Sequence, residues 1–189
     1  MFSVLGVVKS QNLFFNLRGV IPTASAEDFV TEALCWVLSS NPPVAERLVR
    51  LVLAEGGVTA DISSASWSTQ VHLSDARSQS RRPDMICECP GIVLVFEHKV
   101  EEEVVPTQIA AQRALAAEHY APRPVITVLV ARDVDSHRAV ADVCLTWRRV
   151  QSLLDRSEPL PAHAPNSLVD QFVEFLGLEG LGRIPGPCP

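Results

Sequence analysis

Residues 82–100 read RPDMICECPGIVLVFEHKV, in which two apolar runs stand on either side of a proline-glycine pair. The runs over residues 84–89 and 92–100 have the length and the composition of strands. Pro90-Gly91 is a turn dipeptide, because proline presets one position of a turn and glycine tolerates another. The sequence therefore predicts a β-hairpin around this pair.

The register of the hairpin would bring charged side chains together. If the turn holds two or four residues, paired positions sum to 181, and Asp84 then faces Glu97 with Cβ atoms about 4.5–5.5 Å apart. Side chains alternate along a strand, so Asp84, Glu97 and Lys99 share one face while His98 points the other way. A three-residue turn would break this register.

Hydrophobic periodicity and breaker residues predict the elements around the hairpin. Helices are expected at residues 25–39, 44–54, 106–120, 149–155 and 167–176. Extended segments are expected at residues 58–62, 67–73, 125–131 and 143–147. This order predicts an α/β domain in which a central mixed β-sheet is flanked by α-helices.

The length of 189 residues fits one domain. We expect a single domain over residues 1–178, with its core at about 25–133, and a flexible tail over 179–189. No apolar run approaches the roughly 18–20 residues that cross a bilayer, and the apolar start lacks the basic region of a secretory signal. The expected location is the cytoplasm, without a membrane partner.

The chain has a negative net charge, and its basic residues are mostly arginine. A net charge of −6 argues against a generally basic nucleic-acid-binding surface but leaves room for a local basic patch. Arginine supplies fourteen of the sixteen basic residues, and only Lys9 and Lys99 are lysines. This chain usually supplies a simple positive charge with arginine, so the lysine at position 99 indicates a role that depends on an ammonium group.

Two opposed carboxylates at the end of an apolar strand repel one another unless a positive charge lies between them. A divalent cation is the economical explanation for the close approach of Asp84 and Glu97, because Mg²⁺ prefers oxygen ligands and takes one or two carboxylates together with substrate phosphate. Lys99 could then orient or deprotonate a metal-bound water. The alternative is a salt bridge of Lys99 with Glu97 or with Asp84.

One segment consists of Arg82-Pro83-Asp84, twelve intervening residues and then Glu97-His98-Lys99 at the end of an apolar strand. This pattern resembles the PD-(D/E)xK nuclease superfamily, which has the restriction-endonuclease-like fold. The predicted hairpin, the following helix with Gln108 and the buried strand after it fit the same family. The resemblance covers roughly residues 25–131. It implies a restriction-endonuclease-like α/β core.

The resemblance also implies roles for the motif residues. Asp84 and Glu97 would bind Mg²⁺ or Mn²⁺, with the carbonyl oxygen of His98 as a further metal ligand. Lys99 would assist the attacking water. Asp84, Glu97 and Lys99 are therefore the core of the predicted catalytic site.

Two helices are expected to add residues to this site. Many members of the superfamily contribute an acidic residue from the first helix, and Glu27 alone lies at the edge of the apolar stripe, where it can reach inward. The alternative for Glu27 is a first-turn carboxylate favoured by the helix dipole. Gln108 resembles the glutamine that many members carry on the helix after the lysine strand. Gln108 shares a face with Gln112, and a solvated helix face is the alternative.

The arginines before the hairpin and the cysteines of the chain are weaker candidates for functional residues. Arg77, Arg81 and Arg82 precede the hairpin and could hold phosphates of a nucleic acid, with solvent exposure as the alternative. Cys87, Cys89 and His98 share a face of the hairpin. Their positions along the two strands do not let the three side chains converge on one zinc ion. The five cysteines form no Cys-x-x-Cys pair, so reduced thiols are expected.

These observations predict a Mg²⁺-dependent phosphodiesterase, with DNA as the expected substrate and RNA as an alternative. The competing hypothesis is a catalytically inactive nuclease-fold protein that binds nucleic acid or a protein partner. The acidic run Glu101-Glu102-Glu103 and the net charge favour this hypothesis, whereas the intact motif favours activity. A two-fold homodimer is expected if each subunit acts on one strand of a duplex.

Overall fold

The structure, a computed structural model, describes residues 12–20, 25–74, 80–101, 103–155 and 167–183. The helices in these ranges are α1 (Leu13–Val20), α2 (Ala26–Ser40), α3 (Pro42–Glu55), α4 (Pro106–His119), α5 (Trp147–Asp155) and α6 (Leu168–Leu178). The strands are β1 (Ser66–Thr69), β2 (Leu73–Ser74), β3 (Ser80–Arg81), β4 (Met85–Cys89), β5 (Ile92–His98), β6 (Val125–Ala131) and β7 (Val143–Thr146). A short 3₁₀ helix spans Asp135–His137.

Five strands form a mixed sheet in the order β1-β4-β5-β6-β7, and β2 pairs with β3 in a separate ribbon. The pairs β1–β4 and β4–β5 are antiparallel, whereas β5–β6 and β6–β7 are parallel. Helices pack on both faces of the sheet. The predicted α/β class, with a central mixed sheet flanked by helices, is confirmed.

The hairpin has the predicted register. Met85 pairs with Phe96 and Cys89 pairs with Ile92, so the turn holds two residues and paired positions sum to 181. Glycine is required in this turn, because a Cβ atom on Gly91 would lie 2.8 Å from a backbone nitrogen of the neighbouring loop. The strand ends that carry the motif therefore lie side by side, as the alternation of side chains predicts.

The two faces of the sheet are covered unequally. One face bears the main core, to which α1, α2, α3, α5 and α6 all contribute. On the other face α4 packs Leu115 and Ala116 against Ile86, Val93 and Val95. Every residue of β5 is buried because the strand lies between these two layers. Its carboxyl end is therefore within reach of helices from both sides.

Capping residues lie at the starts of three of the predicted helices. The Ser25 hydroxyl accepts a hydrogen bond from the N–H of Asp28 at the start of α2. Asn41 caps α3, which begins two residues earlier than predicted because proline is tolerated in a first turn. At the start of α6, Ser167 and Asp170 form a reciprocal capping box.

Two of the predicted extended segments differ from the structure. The extended segment at residues 58–62 forms no strand, and the segment at 67–73 is divided into β1 and β2. Gln70 lies between these strands with a φ of 55°, a left-handed conformation that interrupts a strand. The sequence reasoning also missed α1, whose Phe14 packs against Phe172 and Phe175 of α6. Such a contact between distant parts of the chain leaves no local periodic signal.

The end of the described chain is packed against the domain. Leu181 is buried, and the backbone N–H and carbonyl of Arg183 bond to the amide of Gln151 on α5. Residues 179–183, which the sequence reasoning assigned to the tail, thus continue the packed structure. Residues 184–189 of the predicted tail lie outside the described residues. Within the described ranges, no helix combines the length and the apolar character needed to cross a bilayer.

Candidate functional site

Residues 98–100, where β5 ends, connect four parts of the fold. Their backbone N–H groups donate to the carboxylate of Asp84, the carbonyl of Val130 and the carboxylate of Glu27. The indole N–H of Trp147 donates to a carbonyl of the same segment at 3.0 Å. The start of β4, the end of β6 and the helices α2 and α5 therefore meet at this point.

Lys99 lies at the centre of the polar cluster and is only 5 % exposed. Its Nζ is 2.9 Å from Oε1 of Glu27 and 2.9 Å from Oε1 of Glu97. The two carboxylate oxygens consequently lie no farther apart than twice that distance. Burial opposes the charge on Lys99, but its hydrogen bonds to both carboxylates outweigh burial and raise its pKa above the usual range. The side chain is therefore an ammonium at neutral pH.

Asp84 is half-buried just before β4, next to the other strand of the hairpin. Its Oδ2 accepts a hydrogen bond of 2.6 Å from the backbone N–H of His98. Burial, followed by repulsion from Glu97, raises the pKa of Asp84 to about 8. Within the described part of the chain, Oδ1 of Asp84 has no hydrogen-bond donor. The carboxyl group thus favours its protonated form at pH 7 and has an oxygen available for a ligand.

Glu97 is 2 % exposed and is held by two glutamines. Gln108 Nε2 donates to Oε1 at 2.8 Å, and Gln112 Nε2 donates to Oε2 at 2.7 Å. The glutamines lie one turn apart on α4, as their spacing predicts. With Lys99 they make three donors, whereas a carboxylate can accept about four hydrogen bonds. Glu97 therefore retains acceptor capacity on Oε2.

Glu27 is the helical carboxylate that reaches the cluster. Besides Lys99, it accepts a hydrogen bond of 3.3 Å from the N–H of Val100. Glu32 is exposed and Asp28 is half-buried, and both line a groove between α1 and α2 instead. The structure brings Glu27 together with Lys99 and Glu97, so this first-turn carboxylate does more than complement the helix dipole.

The imidazole of His98 points away from the carboxylates, on the opposite face of the strand. It is fully buried between the rings of Phe96 and Trp147, whose centroids lie 6.0 Å and 5.0 Å away. Burial and then the charge of Lys99 lower the pKa of His98 to about 3, so the ring is neutral. The expected metal ligand at this position is the backbone carbonyl, which remains a prediction.

Two of the three predicted nucleic-acid-binding arginines are described. Arg81 and Arg82 are exposed, while Arg77 lies outside the described residues. They line a cavity of about 380 Å³ together with Val105, Thr107, Gln108 and Gln112. Because the same two glutamines hold Glu97, this cavity adjoins the carboxylate cluster.

The site could hold a hard cation between its two motif carboxylates. Asp84 and Glu97 both offer unused oxygen acceptor capacity, and their mutual repulsion would be relieved by a positive charge. Among the described residues, no three His, Cys, Asp or Glu side chains form a ready metal-binding group. Mg²⁺ needs only one or two protein carboxylates when substrate phosphate and water complete its shell. The donor chemistry therefore fits Mg²⁺ or Mn²⁺.

The buried thiols near this strand play no visible part in the cluster. Cys87 and Cys89 lie in the core with their Sγ atoms 3.8 Å apart. They belong to the face of β4 opposite the carboxylates, in line with their predicted reduced, structural character.

Sequence reasoning missed two members of the site's polar network. Gln112 was expected only to share a face with Gln108, and its bond to Glu97 was not foreseen. The i, i+4 spacing of the two glutamines on the helix after β5 was the available signal. Thr31, which bonds to His98 at 2.7 Å, had no such signal, because a lone threonine in a helix is ordinary.

No protein-family model matches this chain, and no curated protein matches it. A functional assignment must therefore come from the chemistry and the geometry of its residues.

Proposed function

We propose that this protein is a metal-dependent nuclease that hydrolyses phosphodiester bonds, with DNA as the expected substrate. One observation carries the proposal: Glu27, Glu97 and Lys99 form one hydrogen-bonded cluster at the end of β5, and Asp84 is bonded to the backbone of the same strand end. Charged side chains of this kind are rarely gathered in a largely buried position without a functional reason.

We further propose that the core is restriction-endonuclease-like. The two-residue turn, the strand β5 that ends in Glu97-His98-Lys99, the helix α4 with Gln108 and the buried strand β6 agree with the resemblance. The position of Gln108 supports a role in the site, because its amide bonds directly to Glu97.

In this proposal Asp84 and Glu97 hold Mg²⁺ or Mn²⁺, with the carbonyl of His98 as a further ligand. A bound divalent cation would lower the pKa of a coordinated water and neutralise charge on the scissile phosphate. Gln108 and Gln112 keep the Glu97 carboxylate in one orientation while it does so. Pre-orientation of this kind avoids reorganisation during the reaction.

Lys99 acts as a positioned cation in this scheme. Its raised pKa argues against proton abstraction and favours a role in orienting the water and in stabilising negative charge. Glu27 holds the ammonium from the side of α2. Arg81 and Arg82 would contact phosphates along the strand, because they line the cavity that leads to Gln108.

A cleavage assay combined with a metal titration tests the proposal. Purified protein is incubated with plasmid DNA, linear duplex, single-stranded DNA and RNA, in Mg²⁺, Mn²⁺ or a chelator. We expect metal-dependent cleavage that is lost in Asp84→Asn. Mg²⁺ should also raise the melting temperature of the wild type, and the double variant Asp84→Asn, Glu97→Gln should lose this response. A melting temperature that stays unchanged in millimolar Mg²⁺ and in millimolar Mn²⁺ would contradict the proposed metal site.

A non-cutting binding module is the second candidate, and Glu101 and Glu103 favour it. Both are exposed directly after the site, where they would repel a polyanion. This candidate predicts no cleavage under any metal condition in the same assay. The protein would instead bind nucleic acid or a protein partner.

A further inference from the structure

We propose that Thr31 and His98 form a positioning pair for Glu27. Their hydrogen bond would set where the carboxylate of α2 meets the end of β5. The inference rests on the proposed function for its catalytic consequence, although the positioning itself can be measured without metal or substrate.

The two partners lie side by side in the interior. Thr31 Oγ1 and His98 Nδ1 are 2.7 Å apart, and the residues are 3 % and 0 % exposed. Thr31 follows Glu27 by one helical turn, so both side chains lie on the same face of α2. Glu27 contacts Lys99 and Val100, the two residues that follow His98. Two successive turns of one helix thus bind three successive residues of the strand end.

The remaining contacts of α2 with the core place the helix on the sheet but define this alignment less sharply than a hydrogen bond does. The helix buries Phe29, Val30, Ala33, Leu34 and Val37 in the main core. Hydrophobic attraction is not directional, so these side chains resist separation more than small rotations or shifts along the helix axis. A buried hydrogen bond requires a short distance and a narrow range of angles, and leaving its partner unsatisfied is costly.

The histidine is the fixed partner. Its ring packs between Phe96 and Trp147, and its backbone N–H donates to Asp84 at 2.6 Å. One residue therefore joins the α2 helix to the strand that bears one motif carboxylate and to the loop that bears the other. The position of Glu27 relative to Asp84 depends on this link.

Catalysis is sensitive to such positions, because a displacement of about 1 Å can reduce the rate roughly a hundredfold. Thr31→Val preserves the shape of the side chain but removes the hydroxyl. We expect the carboxylate of Glu27 to move or to fluctuate and its bond to the N–H of Val100 to weaken. Thr31→Ser keeps the hydroxyl and should retain this bond.

The experiment compares hydrogen exchange and cleavage in matched variants of the full chain. Thr127→Val is the control, because Thr127 is also buried and hydrogen-bonded but to Asp142. Exchange of the Val100 amide is measured by NMR in metal-free protein, relative to amides in the middle of β5. Cleavage rates are measured for wild type, Thr31→Val, Glu27→Gln and the double variant.

We expect Thr31→Val to speed exchange at Val100 about tenfold relative to β5, while Thr31→Ser and Thr127→Val leave that ratio within about twofold. Cleavage should fall roughly 10–100-fold in Thr31→Val, and the substitution should cost almost nothing further in Glu27→Gln. An unchanged exchange ratio, or an equal cleavage loss in both backgrounds, would overturn the inference. If the wild type cleaves nothing, the proposed nuclease function fails, and the exchange ratio alone decides whether Thr31 positions Glu27.

Discussion

At the scale of single residues, the cluster holds more acid than base. One buried ammonium bonds to two carboxylates, and the third carboxyl group, Asp84, has its pKa raised to about 8 by burial and by repulsion from Glu97. Lys99 alone therefore does not neutralise the site. A divalent cation would supply the missing charge, which is why the electrostatics of the cluster support a metal-dependent reaction.

The size of the Lys99 side chain leads to the first prediction at this scale. Nζ fits between two oxygens at 2.9 Å in a position that is only 5 % exposed, whereas a guanidinium is planar and broader. We expect Lys99→Arg to fold and to bind metal but to cleave DNA about 10²–10³-fold more slowly, the loss typical of removing one group that stabilises charge in the transition state. Single-turnover rates and the Mg²⁺-induced shift in melting temperature measure the two effects separately.

Arg50→Lys is a suitable control for exchange between basic residues, because Arg50 pairs with Glu46 on an exposed helix face. It should leave cleavage unchanged. If Lys99 only balances the charge of Glu97, Lys99→Arg would cleave like the wild type, and the assigned role would be refuted.

At the scale of secondary structure, α4 holds the carboxylate of Glu97 in place through two hydrogen bonds. It covers one face of the sheet with Leu115 and Ala116, and its glutamines reach the end of β5 from the same helix. Both glutamines line the cavity shared with Arg81 and Arg82, but Gln112 is 2 % exposed whereas Gln108 is half-buried. The two amides therefore differ in whether water can replace them.

This difference predicts unequal losses of stability. Gln112→Ala removes the donor to Oε2 of Glu97 at a position that is only 2 % exposed, and we expect the free energy of unfolding to fall by about 2–3 kcal/mol. Gln108→Ala should lose about 1 kcal/mol or less, because water can take its place. Both variants keep helix propensity, since alanine is favourable in helices. Urea unfolding at constant m-value measures the losses, and equal losses would contradict this account of α4.

At the scale of the whole molecule, Asp84 and His98 make the stability of the fold depend on pH in opposite directions. Asp84 has a raised pKa in the folded state, so its contribution to stability is lost as pH rises toward 8. His98 has a pKa lowered to about 3, so stability is lost as pH falls below 6.5, where the unfolded chain takes up the proton. Below pH 6.5 the two effects oppose each other.

We therefore predict a fall in the stability of the metal-free protein between pH 6.5 and 8. The slope should be up to about 1.4 kcal/mol per pH unit, the value for one proton. Asp84→Asn should abolish this fall and should expose the loss below pH 6.5 that His98 causes. Urea titrations at several pH values in chelator test the prediction. A wild type and an Asp84→Asn variant with parallel pH profiles would show that Asp84 ionises normally.

Local patterns predicted the parts of this fold that depend on neighbouring residues. The turn dipeptide predicted the hairpin, and the alternation of side chains predicted its register on the condition of a two- or four-residue turn. The structure has the two-residue turn, which places Asp84 beside the end of β5. The apolar run at residues 125–131 predicted β6, and the helical wheel identified Glu27 as the inward carboxylate. In each case the geometry of one strand or one helix, repeated every two or 3.6 residues, carries the information.

Contacts between distant segments were decided only by tertiary packing. The helix α1 is stabilised by Phe14 against α6, the Glu97 carboxylate is shared between Lys99 and Gln112, and Thr31 bonds to His98 across 67 residues. No periodicity within α2 distinguishes a threonine that faces a histidine from one that faces another apolar side chain. The partner depends on how far the helix lies along the sheet, and that distance results from the packing of the entire core.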